Sequence, residues 1–291
     1  MKKVWKHIPI MVNEILEHIP DYTQAIMDGT MWHGGHTQAF IDHIQQWTVV
    51  AVDKDPHMTK KISLENPHPD TITIKTINTP YDNLWFITKE SNISHFDYIL
   101  LDIGINREHV VDSERGFSIK QSWPLDMRFD PTTWISAKEY IMTMKPEEFT
   151  QALMQYGDFS LFKAKQISLA ITQNRKTLET TKDLMDILYQ IKLNDRKCAV
   201  VFQVIRICVN NELEHLENFL ESFSHYLNPW WRCAIITFHS VEDRIVKQAF
   251  KKLSLDDWFK LINKRVIIPH WKEREKNKAS RSAKLRIIEK I

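Results

Sequence analysis

Short apolar runs alternate with helix-like segments over the first third of the chain. The runs cover residues 24–28, 48–53, 71–75 and 98–104, and apolar residues between the earlier runs recur at helical spacing. Strands that alternate with helices in this way are typical of parallel β-α units. A fifth run follows at residues 233–238. The pattern therefore predicts an α/β fold built on a doubly wound, mainly parallel sheet.

A long helical segment separates the fourth run from the fifth. Residues 136–226 have an almost continuous helical pattern, which is broken at Pro146, at Gly157 and near Asn194. An all-helical domain inserted into the sheet explains the interruption. The expected division is an α/β domain in two parts with a helical insert between them, at residues 1–112, 206–291 and 113–205.

The segment after the first run has the outline of a nucleotide-cofactor pocket. The glycine loop with Gly34, Gly35 and His36 lets a ligand approach the main chain, and Asp53 lies at the right distance to accept bonds from ribose hydroxyls. The loop lacks the dinucleotide pattern of glycines, which argues against a bound pyrophosphate and favours S-adenosylmethionine. An ordinary strand-turn-helix, whose glycines merely permit positive φ angles, remains an alternative at this point.

Polar residues follow the fourth and fifth runs as well. Asp102 comes at the end of an apolar strand, the edge where open α/β sheets bind ligands, and it suits a cofactor amine or a substrate amino group. A capping role in the next turn is the alternative for Asp102. His239 and Ser240 follow the fifth run, where Ser240 is also a candidate helix cap. They show no nucleophile elbow, so a hydrolase triad is not predicted.

Two dense polar clusters lie between these strand ends, at residues 114–118 and 124–130. They suit either a surface ion-pair network at the domain junction or a wall of the substrate pocket.

Charge is distributed unevenly along a chain whose net charge is only +2. Residues 260–291 hold 11 Lys or Arg against three Glu, so the remainder is acidic. A basic tail can bind a polyanion, or it can simply be solvated. The first 20 residues resemble neither a signal peptide nor a membrane span, which predicts a soluble, cytoplasmic protein. The three cysteines form no metal-ligand pattern, and no metal site is predicted.

Glycine is rare and tryptophan abundant, with six and ten residues respectively. Trp32 lies inside the glycine loop, and Trp230 and Trp231 follow Pro229 in a predicted turn, where glycine would be the usual choice. One hypothesis is that some of these codons are UGA, read as glycine in the organism but translated as tryptophan. The rival hypothesis is that the aromatics are genuine and the pocket is remodelled.

Taken together, the motifs resemble the bacterial ribosomal RNA small-subunit methyltransferase H family, also called MraW. The resemblance covers nearly the whole chain, and it rests on His7-Ile8-Pro9, DGTMWHGGH, VDKDP, LLDIG, SERGFS, PLDMRFDP, Tyr156-Gly157, VFQVIRICVNNEL, FHSVEDRIVK and SRSAKLR. It implies transfer of a methyl group from S-adenosylmethionine to the N4 amino group of a cytidine in the decoding region of 16S ribosomal RNA. It also implies a Rossmann-like class I methyltransferase domain with an inserted all-helical domain for substrate recognition.

The resemblance assigns roles to residues at matching positions. The implied cofactor contacts are Gly34, Gly35, His36, Asp53, Tyr81, Asp102 and His109. At His109 the chain departs from the family's Ser-Ser-Pro-Gln pattern, although an imidazole can replace an amide as a hydrogen-bond partner. Asp102 is the first candidate for the catalytic carboxylate and Asp126 the second. The expected substrate contacts are Arg128, His239, Ser240, Arg244, Arg281 and Lys284, with Arg286 either joining them or lying on a final strand.

The expected partner is 16S ribosomal RNA, within the small ribosomal subunit, and a homodimer is compatible with the resemblance. A DNA amino-methyltransferase is an alternative, but such enzymes usually have an Asp/Asn/Ser-Pro-Pro-aromatic motif where this chain has Asp102-Ile103-Gly104-Ile105. A non-catalytic RNA-binding relic is another alternative.

The resemblance to this family also supports the hypothesis that some tryptophan codons are read as glycine in the organism. Six tryptophans stand where the family resembles glycine, at Trp32, Trp47, Trp123, Trp134, Trp230 and Trp231. We therefore favour recoding, and expect Trp32 to crowd the cofactor loop in a structure of the sequence as written.

Overall fold

A computed structural model describes residues 9–44, 47–61, 64–105, 109, 114–132 and 135–291. Its described strands form one seven-stranded sheet in the order β3-β2-β1-β4-β5-β7-β6. The strands are β1 (Ala25–Asp28), β2 (Trp47–Asp53), β3 (Ile72–Asn78), β4 (Phe96–Asp102), β5 (Leu227–Thr237), β6 (Phe259–Leu261) and β7 (Lys284–Lys290). The predicted α/β fold is confirmed.

The first five strands are parallel and the last two are not. Parallel pairing joins β3 to β2, β2 to β1, β1 to β4 and β4 to β5, whereas β7 is antiparallel to both β5 and β6. The direction in which successive strands are added reverses between β1 and β4. In open α/β sheets a ligand binds at the carboxyl ends of the strands that flank such a reversal. The topology therefore predicts a ligand site at the carboxyl ends of β1 and β4.

Helices connect the strands of the sheet, as the alternating pattern predicts. These helices are α1 (Val12–Leu16), α2 (Gly35–His43), α3 (Pro56–Lys61), α4 (Leu84–Ser91), α11 (Ser240–Leu253) and α12 (Trp271–Lys276). Side chains alternate between two apolar clusters along the strands: in β4, Ile99 and Leu101 belong to one cluster, and Tyr98 and Leu100 to the other. Because successive strand residues point to opposite faces, the sheet has a core on each side.

The long helical pattern is also confirmed. Its helices are α5 (Ala137–Thr143), α6 (Pro146–Gly157), α7 (Leu161–Asn174), α8 (Thr181–Gln190), α9 (Asp195–Asn210) and α10 (Glu212–Ser222). Pro146 lies in the first turn of α6, where its missing N–H costs nothing. Side chains cap α7, α8 and α9 at Ser160, Thr180 and Asn194.

Two compact units make up the chain. Residues 1–104 and 214–291 form the unit that contains the sheet, and residues 105–213 form a helical unit. The sequence places these boundaries at 113 and 205 instead, and those positions stay a prediction.

The basic C-terminal segment is part of the fold. β7 lies between β5 and β6, and Leu285, Ile287 and Ile288 are fully buried. Lys284–Lys290 is therefore a strand of the sheet and not part of a solvated tail. No helix within the described ranges has the length and apolar character needed to cross a membrane.

Candidate functional site

Buried side chains hold the glycine loop at the end of β1. Asp28 is fully buried, and its carboxylate accepts bonds from the Thr30 backbone N–H at 3.2 Å and the Thr37 hydroxyl at 2.7 Å. Gly34 has a left-handed φ of 73°, and a Cβ on Gly35 would lie 3.0 Å from the ring of Pro9. Thr37 was not predicted from the sequence; a hydroxyl directly after the loop histidine is the signal that could have found it.

Asp53 ends β2 and fixes the same loop from the other side. Its Oδ2 accepts the Trp32 backbone N–H at 2.8 Å, and its Oδ1 accepts the Asp55 backbone N–H, also at 2.8 Å. Burial raises the pKa of Asp53 to about 7, because the charged form loses hydration that two hydrogen bonds only partly replace. Each carboxylate oxygen can accept a second bond, so Asp53 keeps the capacity to bind ribose hydroxyls.

His36 and Asp102 form a buried pair between the loop and the end of β4. The distance from His36 Nε2 to Asp102 Oδ2 is 3.3 Å, and both side chains are more than nine-tenths buried. Burial lowers the pKa of His36, but the carboxylates of Asp102 and Asp28 outweigh burial and raise that pKa overall. The pair therefore favours the protonated form of the imidazole more than an isolated histidine does.

The second oxygen of Asp102 is the clearest opening for a ligand. Among the described residues, Asp102 Oδ1 has no hydrogen-bond partner although it is buried. A buried carboxylate oxygen without a partner costs free energy, so such atoms commonly mark a binding site. An amino group of a cofactor or substrate would satisfy it, and the residues around the loop fit S-adenosylmethionine in this respect.

Trp32 makes hydrogen bonds to both Asp53 and Asp102. Its indole Nε1 donates to the Asp102 carbonyl oxygen at 2.9 Å, while its backbone N–H is bound to Asp53. Because β1 lies between β2 and β4, this residue spans the carboxyl end of β1. These two hydrogen bonds agree with the expectation that Trp32 crowds the cofactor loop, which stays a prediction. Its φ is 49°, in the left-handed region that favours glycine.

Tyr81 follows β3 and reaches the same edge of the sheet. A Cβ on Gly29 would lie 3.2 Å from the Tyr81 Cβ, which places Tyr81 beside the loop. Its ring packs edge-on against Phe219 at 5.8 Å between centroids. The unit with the sheet therefore brings together six of the predicted cofactor residues, which are Gly34, Gly35, His36, Asp53, Tyr81 and Asp102.

The helical unit holds the remaining cofactor candidate. His109 is buried there, with its ring 5.1 Å from those of Phe117 and Phe129. The neighbouring positions 106–108, on which the departure from the family pattern rests, lie outside the described residues.

Asp126 and Arg128 form a bidentate pair in the helical unit. Arg128 donates to both carboxylate oxygens of Asp126, with the shortest N–O distance 2.7 Å. This hydrogen bonding raises the pKa of Arg128. Both residues are partly exposed, so Arg128 can still contact a phosphate while Asp126 fixes its orientation.

His239 caps α11 and is not a free polar group. Its Nδ1 accepts the Glu242 backbone N–H at 3.3 Å, and Glu242 in turn accepts the His239 backbone N–H at 3.2 Å. The cap predicted at Ser240 is therefore wrong by one residue, because His239 has the extended backbone of an N-cap. Ser240 and Arg244 are exposed.

Asp243 on α11 binds two of the C-terminal cations. Lys284 approaches Asp243 at 3.2 Å and Arg286 at 2.8 Å. Arg286 therefore lies on the final strand, which is one of the two positions expected for it from the sequence. Arg281, by contrast, is exposed and donates only to the Arg274 carbonyl oxygen among the contacts found in the described ranges.

Comparisons with known proteins agree across the whole chain. Residues 4–291 match the family described as the MraW methylase family. A relative from Elusimicrobium minutum, named ribosomal RNA small subunit methyltransferase H, is 37% identical, with 99% of each chain covered. A relative of the same name from Thermotoga neapolitana is 32% identical over 98% of this chain and 96% of its own. One from Lachnoclostridium phytofermentans is 35% identical over 96% of this chain and 80% of its own.

Proposed function

The chain belongs to the MraW methylase family, and we propose that it methylates the N4 amino group of a cytidine in the decoding region of 16S ribosomal RNA. S-adenosylmethionine is the methyl donor. The names of its relatives support ribosomal RNA of the small subunit as the substrate.

One observation supports Asp102 as the reaction centre. Asp102 ends β4 beside the reversal of strand order, and its buried Oδ1 accepts no bond from any residue that the structure describes. A carboxylate there can accept a hydrogen from the cytosine amino group. This hydrogen bond raises the nucleophilicity of the cytosine amino nitrogen, which is otherwise low because the nitrogen lone pair is conjugated with the ring.

The cofactor supplies an electrophilic methyl group, and the protein supplies alignment. Attack must be in line, with nitrogen and methyl carbon about 3 Å apart in a dry site. Asp102 would hold the amino group and take up its proton as the N–C bond forms and the bond from sulfonium to methyl breaks, with S-adenosylhomocysteine as the leaving group. His36, with its Nε2 3.3 Å from the other oxygen of Asp102, keeps that carboxylate oriented. Asp126, in the helical unit, is the second candidate for the proton acceptor.

The substrate must reach this site as an unstacked base, which irregular ribosomal RNA permits at lower cost than a duplex. Arg128, Arg244, Arg281 and Lys284 are proposed phosphate contacts, with His239 and Ser240 near the end of β5. Because Lys284 is paired with Asp243, Arg281 is the stronger candidate of the last two.

A methyl-transfer assay tests the reaction and its target together. Purified protein is incubated with labelled S-adenosylmethionine and small ribosomal subunits from a strain that lacks this methylation, and the RNA is digested to nucleosides. We expect labelled N4-methylcytidine at one position of 16S RNA. Duplex DNA is the comparison substrate, and methylation of DNA alone would contradict the proposal.

Two variants test the proton acceptor. Asp102→Asn should lower turnover by about 10²- to 10⁴-fold, since an amide cannot take the proton. Asp126→Asn is the matched change in the helical unit. If both variants keep near-normal turnover and cofactor affinity, the assignment fails.

The position of Trp32 favours a second candidate function. An indole across the end of β1 obstructs the cofactor site, as in a non-catalytic RNA-binding relic. Cofactor titration of protein produced with verified codons separates the two: heat of binding supports the enzyme, and its absence supports the relic.

A further inference from the structure

Five exposed cationic side chains lie close together in sequence, on the last α-helix and directly after it. This C-terminal basic surface comprises residues 271–281, on α12 and the 3-10 helix that follows it. Its cations are all exposed, and none forms an ion pair with a described residue; they are Lys272, Arg274, Lys276, Lys278 and Arg281. Lys284 and Arg286, immediately beyond it, are instead bound by Asp243. Residues 271–281 thus hold five of the exposed cations of the C-terminal segment, together with the exposed carboxylate of Glu275.

An exposed aromatic side chain lies among these cations. Trp271 is 62% exposed, with the Lys272 ammonium 5.6 Å from its ring centroid and the His270 ring 5.7 Å away. An exposed indole costs free energy, because burial of its apolar surface against protein or ligand would be favourable. An exposed aromatic ring beside phosphate-binding cations is the arrangement on which single-stranded nucleic acids stack their bases.

The surface is anchored close to the cofactor loop. The Glu273 carboxylate accepts the Met11 backbone N–H at 3.1 Å, and the Glu14 carboxylate accepts the His270 backbone N–H at 3.2 Å. The charge of Glu273 also acts on His36 in the loop. Because Lys284 pairs with Thr237 at the end of β5, the segment before β7 lies at the carboxyl edge of the sheet.

We propose that the C-terminal basic surface binds single-stranded RNA next to the nucleotide that is methylated. Trp271 stacks on one base of the RNA, and the five cations bind its phosphates. The proposal rests on the proposed function for its choice of RNA, and it adds a stacking residue and a defined surface to that function. Cations without stacking would bind any polyanion, whereas Trp271 selects strands with unpaired bases.

Binding of a labelled RNA tests the stacking. The probe is a fluorescein-labelled oligocytidine RNA of about 12 nucleotides, within the usual site size for single strands, measured by fluorescence anisotropy at fixed salt. Trp271→Ala should weaken binding by about 5- to 100-fold, as expected for loss of one base–aromatic stack. Trp271→Phe should retain most of the affinity.

Trp258 provides the matched control. It is 71% exposed on the same compact unit but lies before β6, outside the C-terminal basic surface. Trp258→Ala should leave the affinity unchanged. Equal affinities for Trp271→Ala, Trp258→Ala and the unchanged protein would overturn the proposal, provided circular dichroism shows all three folded.

The salt dependence tests the cations. Combining Arg274→Gln with Lys276→Gln should reduce the slope of log K against log salt by about 0.7 for each phosphate that the protein no longer neutralises. An unchanged slope would overturn the role of the cations. Binding to phosphatidylglycerol vesicles without binding to RNA would also overturn the proposal, because it would identify a membrane surface instead.

The outcomes distinguish failure of the proposed RNA-binding surface from failure of the proposed methyl-transfer reaction. Trp271-dependent binding of the oligocytidine RNA, together with no methylation of small ribosomal subunits, supports the surface and contradicts the proposed function. Methylation at an unchanged KM in Trp271→Ala contradicts the surface and leaves the proposed function intact.

Discussion

Among the tryptophans that the structure describes, two have a left-handed backbone conformation. Trp32 has a φ of 49° and Trp230 a φ of 71°. A bulky residue is a genuine outlier there, whereas glycine adopts such angles at no steric cost. Both belong to the six tryptophans that stand where the related family resembles glycine. Backbone geometry and sequence resemblance are separate observations, and both favour glycine at Trp32 and Trp230.

Replacing Trp32 with glycine should open the cofactor site. Trp32→Gly removes the indole that spans the end of β1 and relieves the strained backbone, so we expect S-adenosylmethionine to bind at least about tenfold more tightly. Isothermal titration of both proteins measures the difference. Equal affinities would show that the indole does not obstruct the ligand.

Trp230→Gly is the matched control for backbone strain. Trp230 is 67% exposed at an irregularity in the pairing of β4 with β5, and none of the described contacts links it to the loop. Relief of a positive φ should raise the free energy of unfolding by about 1 kcal/mol without changing cofactor affinity. A gain in cofactor affinity in this variant would mean that strain relief alone explains the result for Trp32→Gly.

The raised pKa of Asp53 predicts a pH-dependent stability. Between the ordinary value of 3.8 and about 7, the folded protein holds a proton at Asp53 that the unfolded chain has lost. The contribution of this group to stability therefore falls as the pH rises through that window. From pH 5 to pH 8 the free energy of unfolding should drop by on the order of 2 kcal/mol more in the unchanged protein than in Asp53→Asn.

Urea unfolding of both proteins at several pH values measures this difference, and other titrating groups cancel between them. Parallel pH profiles would contradict a raised pKa at Asp53. Asp53→Asn should also bind S-adenosylmethionine more weakly, because an amide offers only one oxygen to the two backbone donors and the ribose.

At the scale of secondary-structure elements, the period of the hydrophobic pattern and the length of the element determine whether the sequence predicts it. The five parallel strands were predicted because each contains a run of five to seven residues rich in apolar or β-branched side chains. β6 has only three residues, with partly exposed ends, and leaves no comparable pattern. In β7, buried Leu285 and Ile287 alternate with Lys284 and Arg286, so a strand with polar residues on one side resembled a basic tail.

Asp243 links α11 to β7 and should be sensitive to substitution. Arg286 is only 12% exposed at its side chain, and its Nε lies 2.8 Å from the Asp243 carboxylate. Removing the carboxylate in Asp243→Ala leaves a largely buried guanidinium without its partner, which should cost about 2 to 4 kcal/mol. Urea unfolding measures the loss.

The control removes the more exposed cation instead. Lys284→Gln keeps the pair between Asp243 and Arg286, and should cost less than about 1 kcal/mol. If Lys284→Gln destabilises the protein as much as Asp243→Ala does, the buried pair is not the source of the stability.

At the scale of the whole molecule, the sequence predicted the class of fold and the edge of the sheet that carries the site. It did so because cofactor-binding residues follow strand ends, and strand ends are visible as breaks in apolar runs. The pairing of His36 with Asp102, and the cap at His239, could not be predicted, because each depends on contacts between side chains brought together by folding. Three-dimensional packing also decides which C-terminal cations are free and which are bound.

Deleting the last strand should abolish cooperative folding, whereas neutralising the basic surface should leave folding almost unchanged. Removing residues 284–291 takes β7 from between β5 and β6 and exposes both cores, because Ile288 packs in one and Ile287 in the other. We expect no cooperative unfolding transition from that protein. Changing Lys272, Arg274, Lys276, Lys278 and Arg281 to Gln should leave the transition within about 1 kcal/mol, since exposed charges contribute little. Circular dichroism in urea distinguishes them, and a cooperative transition after deletion would mean that the C-terminal segment is a dispensable tail after all.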